Sequence, residues 1–266
     1  MKIELNGRTM GYDDSGGRGV PLVLMHGFPL NRTVWTSQVK HLAGSARVIA
    51  PDFRGFGESG MGAAAAPTVA GYAADVAALL DSLDIPAAVI GGVSMGGFVA
   101  MAFHREYPGR VRGLLLVDTR GGPDSPESRA ARDAAAALAR AEGAPAIAQQ
   151  MIGKMLTPAN QGAPMGRALL GLMGAQSVEG IVGALGAIRD RPDSGPSNAS
   201  VAVPALVVCG EEDILIPPGE SRALCESIPG ARLVLVPASG HLPNYEQPEA
   251  FNRAVRGFLS ALPTSA

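Results

Sequence analysis

The sequence predicts an α/β fold in which a mostly parallel sheet is covered by helices on both faces. Short runs of consecutive apolar residues alternate with segments of helical periodicity along most of the chain. Unbroken apolar runs are typical of strands buried on both faces of a sheet, and their alternation with helices is typical of parallel order. The length of 266 residues fits one such domain with an insertion better than two independent domains.

Strands are predicted first at the N-terminus, where residues 2–6 and 8–13 are joined through Asn6-Gly7. That dipeptide favours the tight turn of a hairpin. Six later apolar runs predict buried strands, at residues 21–25, 47–50, 87–91, 113–117, 205–209 and 232–236.

Helices are predicted between these strands. Residues 68–83 begin at Thr68, an N-cap residue type, and carry apolar side chains at helical spacing. Residues 95–106 end before a Tyr-Pro-Gly segment, which a helix does not continue through. Residues 248–261 form the last predicted helix, with a proline in the first turn.

Residues 121–200 break this alternation, since they contain no convincing strand pattern and open and close with loops rich in Gly and Pro. Ala-rich stretches with helical patterns lie between those loops, at 126–142, 145–156, 164–174 and 177–189. We therefore expect a helical insertion at 121–200, and a core domain formed by residues 1–120 and 201–266.

Composition and charge exclude several classes of partner. The net charge is −2 without any block of like charges, so neither nucleic acid nor an anionic membrane surface is expected as a partner. No apolar run reaches the roughly 18 residues of a transmembrane helix, so no membrane insertion is expected. The N-terminus lacks the apolar core of a signal peptide, so a cytoplasmic location is expected if the chain is the full gene product.

The cysteines and histidines give no sign of a metal or cofactor. Cys209 and Cys225 are too few for a disulfide framework and cannot ligate a metal by themselves, and the four histidines are scattered. We therefore expect no cofactor and no metal. A homo-oligomeric state is left open.

The strongest local signal is Gly92-Val93-Ser94-Met95-Gly96, which matches the G-x-S-x-G pattern of a nucleophile elbow. A predicted strand precedes it directly and a predicted helix follows, which is the context that the pattern requires. The glycines leave room for a strained turn, and the helix N-terminus favours developing negative charge. An ordinary Gly-rich turn would explain the pentapeptide but not this setting, so Ser94 is the predicted nucleophile.

A serine hydroxyl needs a base, and His241 is the predicted one. It lies just past the strand at 232–236, at the sheet edge where parallel strands place their sites. His41 and His104 fall in predicted helices and are interpreted as surface or packing residues. His26 follows another strand and is interpreted as a brace of its loop.

The base must be held in one tautomer by an acid, and Asp213 is predicted to do so. It follows the strand at 205–209 and gives the chain order Ser, Asp, His that this elbow motif leads us to expect. Two rivals stay open: Glu212, which is adjacent, and Asp118, which ends the strand at 113–117.

The tetrahedral intermediate needs at least two donors aimed at its oxyanion. The backbone N–H of Met95, directly after the nucleophile, is predicted to be one of them. The other is predicted to be the backbone N–H of Phe28, in the loop after the strand at 21–25.

Five segments in this order resemble the α/β-hydrolase superfamily over nearly the whole chain: 26–29, 52–59, 92–97, 210–213 and 240–241. The resemblance implies a mostly parallel eight-stranded sheet, a helical cap at 121–200 and a site in the cleft between them. It implies a mainly architectural role for 52–59, in which Arg54 is interpreted as a loop brace in preference to an anion binder.

Within that superfamily the chain resembles small bacterial carboxylesterases, 3-oxoadipate enol-lactonases and cofactor-free perhydrolases. The resemblance implies a serine hydrolase that cleaves small, mainly apolar carboxylic esters through an acyl-enzyme, with enol-lactonase or perhydrolase activity as alternatives. A C–C hydrolase, a hydroxynitrile lyase and a non-catalytic binding protein are further alternatives. A serine at 94 argues against epoxide hydrolases and haloalkane dehalogenases, which use a carboxylate nucleophile.

The predicted cap gives two indications about the substrate. Its few charges favour an apolar, uncharged substrate. Four methionines in it suit either an adaptable pocket or ordinary packing, at positions 151, 155, 165 and 173. Arg120 and Arg189 are the candidate partners if a carboxylate must be bound.

Overall fold

The computed structural model describes residues 1–62 and 66–263. Its strands are β1 (Lys2–Leu5), β2 (Arg8–Asp14), β3 (Val20–Met25), β4 (Ala46–Pro51), β5 (Ala88–Val93), β6 (Val111–Val117), β7 (Ala205–Gly210) and β8 (Arg232–Val236). They form one sheet in the order β1-β2-β4-β3-β5-β6-β7-β8. β2 is antiparallel to β1 and to β4, and all other neighbours are parallel. The predicted mostly parallel, eight-stranded sheet is confirmed.

Helices cover the sheet, and several begin where the sequence predicts. They are α1 (Thr36–His41), α2 (Val69–Ser82), α3 (Met95–Glu106), α4 (Pro126–Glu142), α5 (Ala144–Met155), α6 (Pro158–Gln161), α7 (Pro164–Gly174), α8 (Val178–Arg189), α9 (Gly195–Asn198), α10 (Pro218–Ser227), α11 (Pro243–Glu246) and α12 (Pro248–Ser260). The Thr68 hydroxyl accepts the Gly71 N–H at 2.9 Å, which caps α2 as expected.

Helices α4 to α9 all lie between β6 and β7, in the segment 121–200 where a helical insertion is predicted. The division of the chain into a core and a cap stays a prediction. None of the described helices is by itself both long and apolar enough to cross a membrane, and α7 and α8 meet that criterion only as a pair bent by 93°.

The apolar strands build a core on each face of the sheet, because successive side chains of a strand point to opposite faces. On one face, Val23 and Ile90 pack with Tyr72 of α2 and Phe103 of α3. On the other face, the alternate strand positions pack with Trp35 and with Phe251 of α12. Burial on both faces explains why these strands appear as unbroken apolar runs in the sequence.

The carboxyl ends of the parallel strands meet at one edge of the sheet. Met25 pairs with Gly92, Val93 with Val117, and Gly210 with Val236. The predicted strand at 87–91 therefore continues to Val93, directly before Ser94. This register brings the loops after β3, β5, β6, β7 and β8 to one place.

Candidate active site

Ser94 lies in the turn between β5 and α3 with a strained backbone, at φ 55° and ψ −114°. A non-glycine residue occupies this region only when its surroundings hold it there. A methyl group on Gly92 would collide with the backbone of Gly96, and one on Gly96 with the carbonyl of Met25. The two glycines of the motif are thus required by close backbone packing.

Hydrogen bonds fix the backbone of Ser94 beside the end of β6. Its N–H donates to the Val117 carbonyl at 2.9 Å, and the Thr119 hydroxyl donates to the Ser94 carbonyl at 2.9 Å. The side chain is half-buried and lines a cavity of about 370 Å³ together with Phe28. The turn therefore presents the hydroxyl to a space that can hold a small molecule.

His241 and Asp213 form a buried pair at the same edge. Asp213 Oδ2 lies 2.8 Å from His241 Nδ1, and Asp213 Oδ1 accepts the N–H groups of Leu215 at 2.8 Å and Ile216 at 3.0 Å. Burial acts to raise the pKa of Asp213, but the attraction and hydrogen bonds of His241 and its other partners outweigh it, so the pKa is lowered. An ionised Asp213 requires the proton of the neutral imidazole on Nδ1, which leaves Nε2 as the basic nitrogen.

The basic nitrogen of His241 is not tied up by another group. Within the described part of the chain, Nε2 is buried without a hydrogen-bond partner, and the Ser94 hydroxyl is not bonded to it. In substrate-free enzymes the bond between nucleophile and base is often long and tightens only when substrate binds. The arrangement therefore suits a serine–histidine pair that is not yet engaged.

The structure distinguishes Asp213 from its two rivals. Glu212 is exposed, and among the described residues it makes no hydrogen bond to His241. Asp118 is fully buried, yet its Oδ1 accepts the Gly210 N–H at 2.9 Å and it makes no hydrogen bond to His241. Asp213 is thus the carboxylate that holds the imidazole.

Both predicted oxyanion donors lie beside Ser94. Met95 is the first residue of α3, and Phe28 lies in the loop after β3, where Gly27 approaches so closely that an added Cβ would be 3.2 Å from Ser94 Cβ. Among the described residues, neither the Met95 N–H nor the Phe28 N–H donates to another group. Both N–H groups therefore lack a partner in the described part of the chain, which agrees with their predicted role.

The other histidines are engaged elsewhere. His26 Nε2 accepts the Phe53 N–H at 3.1 Å and its Nδ1 lies 2.8 Å from the Gly27 carbonyl, so neither nitrogen is free and the residue braces its loop. Burial lowers the pKa of His26. His41 is exposed on α1, and His104 is buried in α3.

A metal ion would fit this site poorly. Asp118, Asp213 and His241 each place one possible ligand atom within 4.8 Å of the others. His241 Nδ1, however, carries the proton that it donates to Asp213, and a nitrogen cannot keep that proton and bind a metal. We therefore interpret the three groups as acid–base residues.

A model of the family described as alpha/beta hydrolase fold matches residues 20–248. This chain belongs to the α/β-hydrolase family. A thermophilic esterase from Thermogutta terrifontis, solved with malate bound, is 37% identical with a TM-score of 0.93, covering 99% of both chains. The enol-lactonase from Burkholderia xenovorans LB400 is 29% identical with a TM-score of 0.90, covering 98% of this chain and 100% of that one.

Among curated proteins, 3-oxoadipate enol-lactonase 2 of Acinetobacter baylyi is 29% identical over 264 residues, 97% of this chain and 93% of that protein. These similarities confirm the resemblance to the group of α/β hydrolases that contains esterases and enol-lactonases. They also confirm the α/β-hydrolase fold. The roles of individual residues stay predictions.

The cavity of this α/β hydrolase is less apolar than the composition of the insertion predicts. Arg120, Arg132 and Lys154 line it, whereas Glu220 is the one acidic side chain among the lining residues that the structure describes. Of the candidate carboxylate partners, Arg120 is thus well placed. Arg189 is not: it pairs with Asp133 and Asp190 and lines a separate cavity.

The structure also shows what surrounds three methionines of the predicted cap and Arg54. Met151 lines the cavity, and Met155 and Met173 are buried in the core, so packing accounts for those two. Arg54 donates to both oxygens of Asp75, at 2.8 and 2.6 Å, which makes it a brace of the loop at 52–59 and not a free anion binder.

Sequence reasoning missed Glu246, which holds the loop of His241. One of its oxygens accepts the Gly240 N–H at 2.6 Å. The other accepts the N–H and the hydroxyl of Thr157 and the amide of Asn160, at 2.9, 2.8 and 2.8 Å. The Glu246 carboxylate thus connects the predicted cap, through Thr157 and Asn160, to Gly240, the residue before His241. Its position in a short helix after the histidine gives no signal of these distant partners.

Proposed function

We propose that this α/β hydrolase cleaves small carboxylic esters through an acyl-enzyme on Ser94, with His241 as base and Asp213 as the acid that orients it. The observation that carries the proposal is the buried 2.8 Å hydrogen bond between His241 and Asp213, at the sheet edge that also presents Ser94. An imidazole held in this tautomer is suited to take the proton of a serine hydroxyl. The esterase and enol-lactonase relatives support this class of reaction.

In the first half of the reaction, Ser94 Oγ bonds to the ester carbonyl carbon while His241 Nε2 takes the hydroxyl proton. The N–H groups of Phe28 and Met95 stabilise the resulting oxyanion. The bond between the acyl carbon and the leaving oxygen then breaks, and His241 gives its proton to the departing alcohol. The ionised Asp213 stabilises the imidazolium in between.

In the second half, water replaces the alcohol. His241 takes a proton from the water as its oxygen bonds to the acyl carbon, and the same two N–H groups hold the second oxyanion. The bond between the acyl carbon and Ser94 Oγ breaks, and Oγ recovers the proton from His241. The carboxylic acid leaves and the enzyme is restored.

The lining of the cavity favours a second candidate, the hydrolysis of a lactone or ester that carries a carboxylate, as in enol-lactonase activity. Arg120 and Arg132 share Asp124 with Arg191, so three guanidinium groups face one fully buried carboxylate. Among the described residues Lys154 has no carboxylate within 4.0 Å, which leaves its charge available to a ligand. An excess of positive charge beside Ser94 would attract an anionic acyl chain.

A first experiment tests the nucleophile. The rates of hydrolysis of p-nitrophenyl acetate and butyrate are compared between the wild type, Ser94→Ala and the control Ser260→Ala, an exposed serine of α12. We expect Ser94→Ala to lower kcat by about 1,000-fold or more, because no other group forms the acyl-enzyme. Equal rates in the wild type and Ser94→Ala would remove Ser94 from the mechanism.

A second experiment separates the neutral from the anionic substrate. The kcat/KM values for methyl valerate and monomethyl succinate are measured in the wild type, in Lys154→Gln and in Lys40→Gln, an exposed lysine of α1. If the pocket selects anions, Lys154→Gln lowers kcat/KM for the succinate ester about 10-fold more than for the valerate ester. An equal effect on both esters would reject the anionic substrate. Peracid formation in the presence of hydrogen peroxide tests perhydrolase activity.

A further inference from the structure

A second carboxyl group lies behind the His241–Asp213 pair, and the mechanism above does not use it. Asp118 follows β6 with φ 41°, and its N–H donates to the Val208 carbonyl at 2.9 Å. Its side chain is fully buried. Oδ1 accepts the Gly210 N–H at 2.9 Å, while Oδ2 has no hydrogen-bond partner among the described residues.

Asp118 Oδ2 lies in a buried cluster with Asp213 and His241, and neither carboxyl group of this cluster is paired with a lysine or arginine among the described residues. One atom each of Asp118, Asp213 and His241 lies within 4.8 Å of the other two. In the part of the chain that the structure describes, no lysine or arginine nitrogen comes within 4.0 Å of either carboxyl group. Two carboxylates this close and this buried do not both ionise, so one of them keeps a proton.

The hydrogen bonds decide which of the two acids is ionised. Asp213 receives three donors: the N–H groups of Leu215 and Ile216 and the imidazole of His241, at 2.8, 3.0 and 2.8 Å. Asp118 receives one N–H, from Gly210. Donors stabilise the charged form of a carboxyl group, so the charge belongs on Asp213 and the proton on Asp118.

We propose that Asp118 is protonated at neutral pH and donates its proton from Oδ2 to the Asp213 carboxylate, as a positioning residue for the acid that orients His241. This inference rests on the proposed roles of Asp213 and His241. It accounts for the unpartnered Oδ2, because a protonated oxygen has a hydrogen to give and Asp213 is the acceptor within reach. It also leaves a single negative charge behind the imidazole.

The surroundings of Asp118 agree with a neutral carboxyl group. Burial and the charge of Asp213 raise the pKa of Asp118 well above its usual range, and the Gly210 N–H and the Cys209 thiol oppose this only in part. Cys209 lies on β7, and burial raises the pKa of its thiol, so it stays neutral too. The nearest group from α10 is the buried, uncharged Ser221 hydroxyl, which lies beside the Cys209 thiol.

The effect on the base follows from this charge count. An ionised Asp118 would add a second negative charge near His241, stabilise the imidazolium and keep the base protonated at higher pH. A neutral Asp118 instead stabilises the Asp213 carboxylate by a hydrogen bond, which reduces the negative charge that Asp213 presents to the imidazole. The acid limb of the rate–pH profile therefore depends on the hydrogen at Oδ2.

The test compares two substitutions that differ in this hydrogen. Asp118→Asn keeps the shape, the acceptor for Gly210 and a donor toward Asp213, so the titration midpoint of His241, followed by NMR, should move by less than about 0.3 unit. Asp118→Ala removes the donor, so the midpoint should rise by about 0.5 unit and kcat should fall more than in Asp118→Asn. A midpoint about one unit lower in Asp118→Asn, or an unchanged midpoint in Asp118→Ala, would overturn the proposal.

Infrared spectroscopy with carbon-isotope labelling of the aspartates provides a readout that does not need activity. At about pH 7 the wild type should show the C=O stretch of a buried protonated carboxyl group. The band should persist in Ser94→Ala and in Asp193→Asn, an exposed aspartate, and vanish in Asp118→Asn. If the wild type lacks the band, the proposal for Asp118 is overturned, even if Ser94 is the nucleophile. If the wild type shows the band but hydrolyses no ester, only the proposed function is refuted.

Discussion

Glu246→Gln is the substitution whose effect the structure allows us to work out most fully. Glu246 is 7% exposed and only accepts hydrogen bonds, three through Oε1 and one through Oε2. A glutamine has one oxygen, so its best orientation keeps the three bonds from Thr157 and Asn160. Its NH₂ group then faces the Gly240 N–H, where two donors meet.

The magnitude follows from that single lost bond. A hydrogen bond to a charged group contributes about 1.5–3 kcal/mol, and a buried donor left without an acceptor adds to the loss. We therefore expect Glu246→Gln to lower the free energy of unfolding by about 2–4 kcal/mol. Gly240 precedes His241, so release of its N–H shifts the base, and kcat should fall by about 10-fold or more.

Urea unfolding and p-nitrophenyl acetate hydrolysis measure both effects. Glu249→Gln is the matched control, because Glu249 is an exposed acid in the first turn of α12 and should change stability by less than about 0.5 kcal/mol. If Glu246→Gln behaves like this control in both assays, then the carboxylate does not hold the loop of His241.

Two further predictions concern the elbow and the acid. Gly96→Ala should lower the free energy of unfolding by about 3 kcal/mol or more, because the added methyl group would collide with the backbone of Met25. The control Gly171→Ala, where no atom lies near the added methyl group on α7, should leave stability unchanged or raise it. Thermal denaturation compares the two variants, and equal melting temperatures would contradict this prediction. The lowered pKa of Asp213 contributes stability above the pKa of the unfolded carboxyl group, and that stability is lost as pH falls through the folded value. Below about pH 4 the wild type should therefore lose stability more steeply than Asp213→Asn, and parallel curves would contradict this.

Much of the fold follows from local sequence patterns. The apolar runs predict the strands because burial on both faces of the sheet excludes polar residues from them. The elbow at Ser94 is equally local, since Gly92 and Gly96 lie within two residues of it. The position of Asp213 after β7 and of His241 after β8 follows from the rule that parallel strands end at a common edge.

The features that the sequence could not predict depend on contacts between distant residues. Glu246 meets Thr157 and Asn160 across 89 and 86 residues of chain. The proton of Asp118 depends on the number of donors that two neighbouring loops supply. The charge of the cavity depends on which faces of α4 and α5 bring Arg132 and Lys154 into its lining, and the number of charges in a segment does not indicate where they point.

The proposed mechanism depends most on an activated Ser94, and peptide mapping by mass spectrometry after reaction with a fluorophosphonate tests this directly. We expect one adduct, on the peptide that contains Ser94, formed rapidly in the wild type and about 1,000-fold more slowly in His241→Asn. An adduct on another residue, or labelling of Ser94 at the same rate in both proteins, would contradict the account.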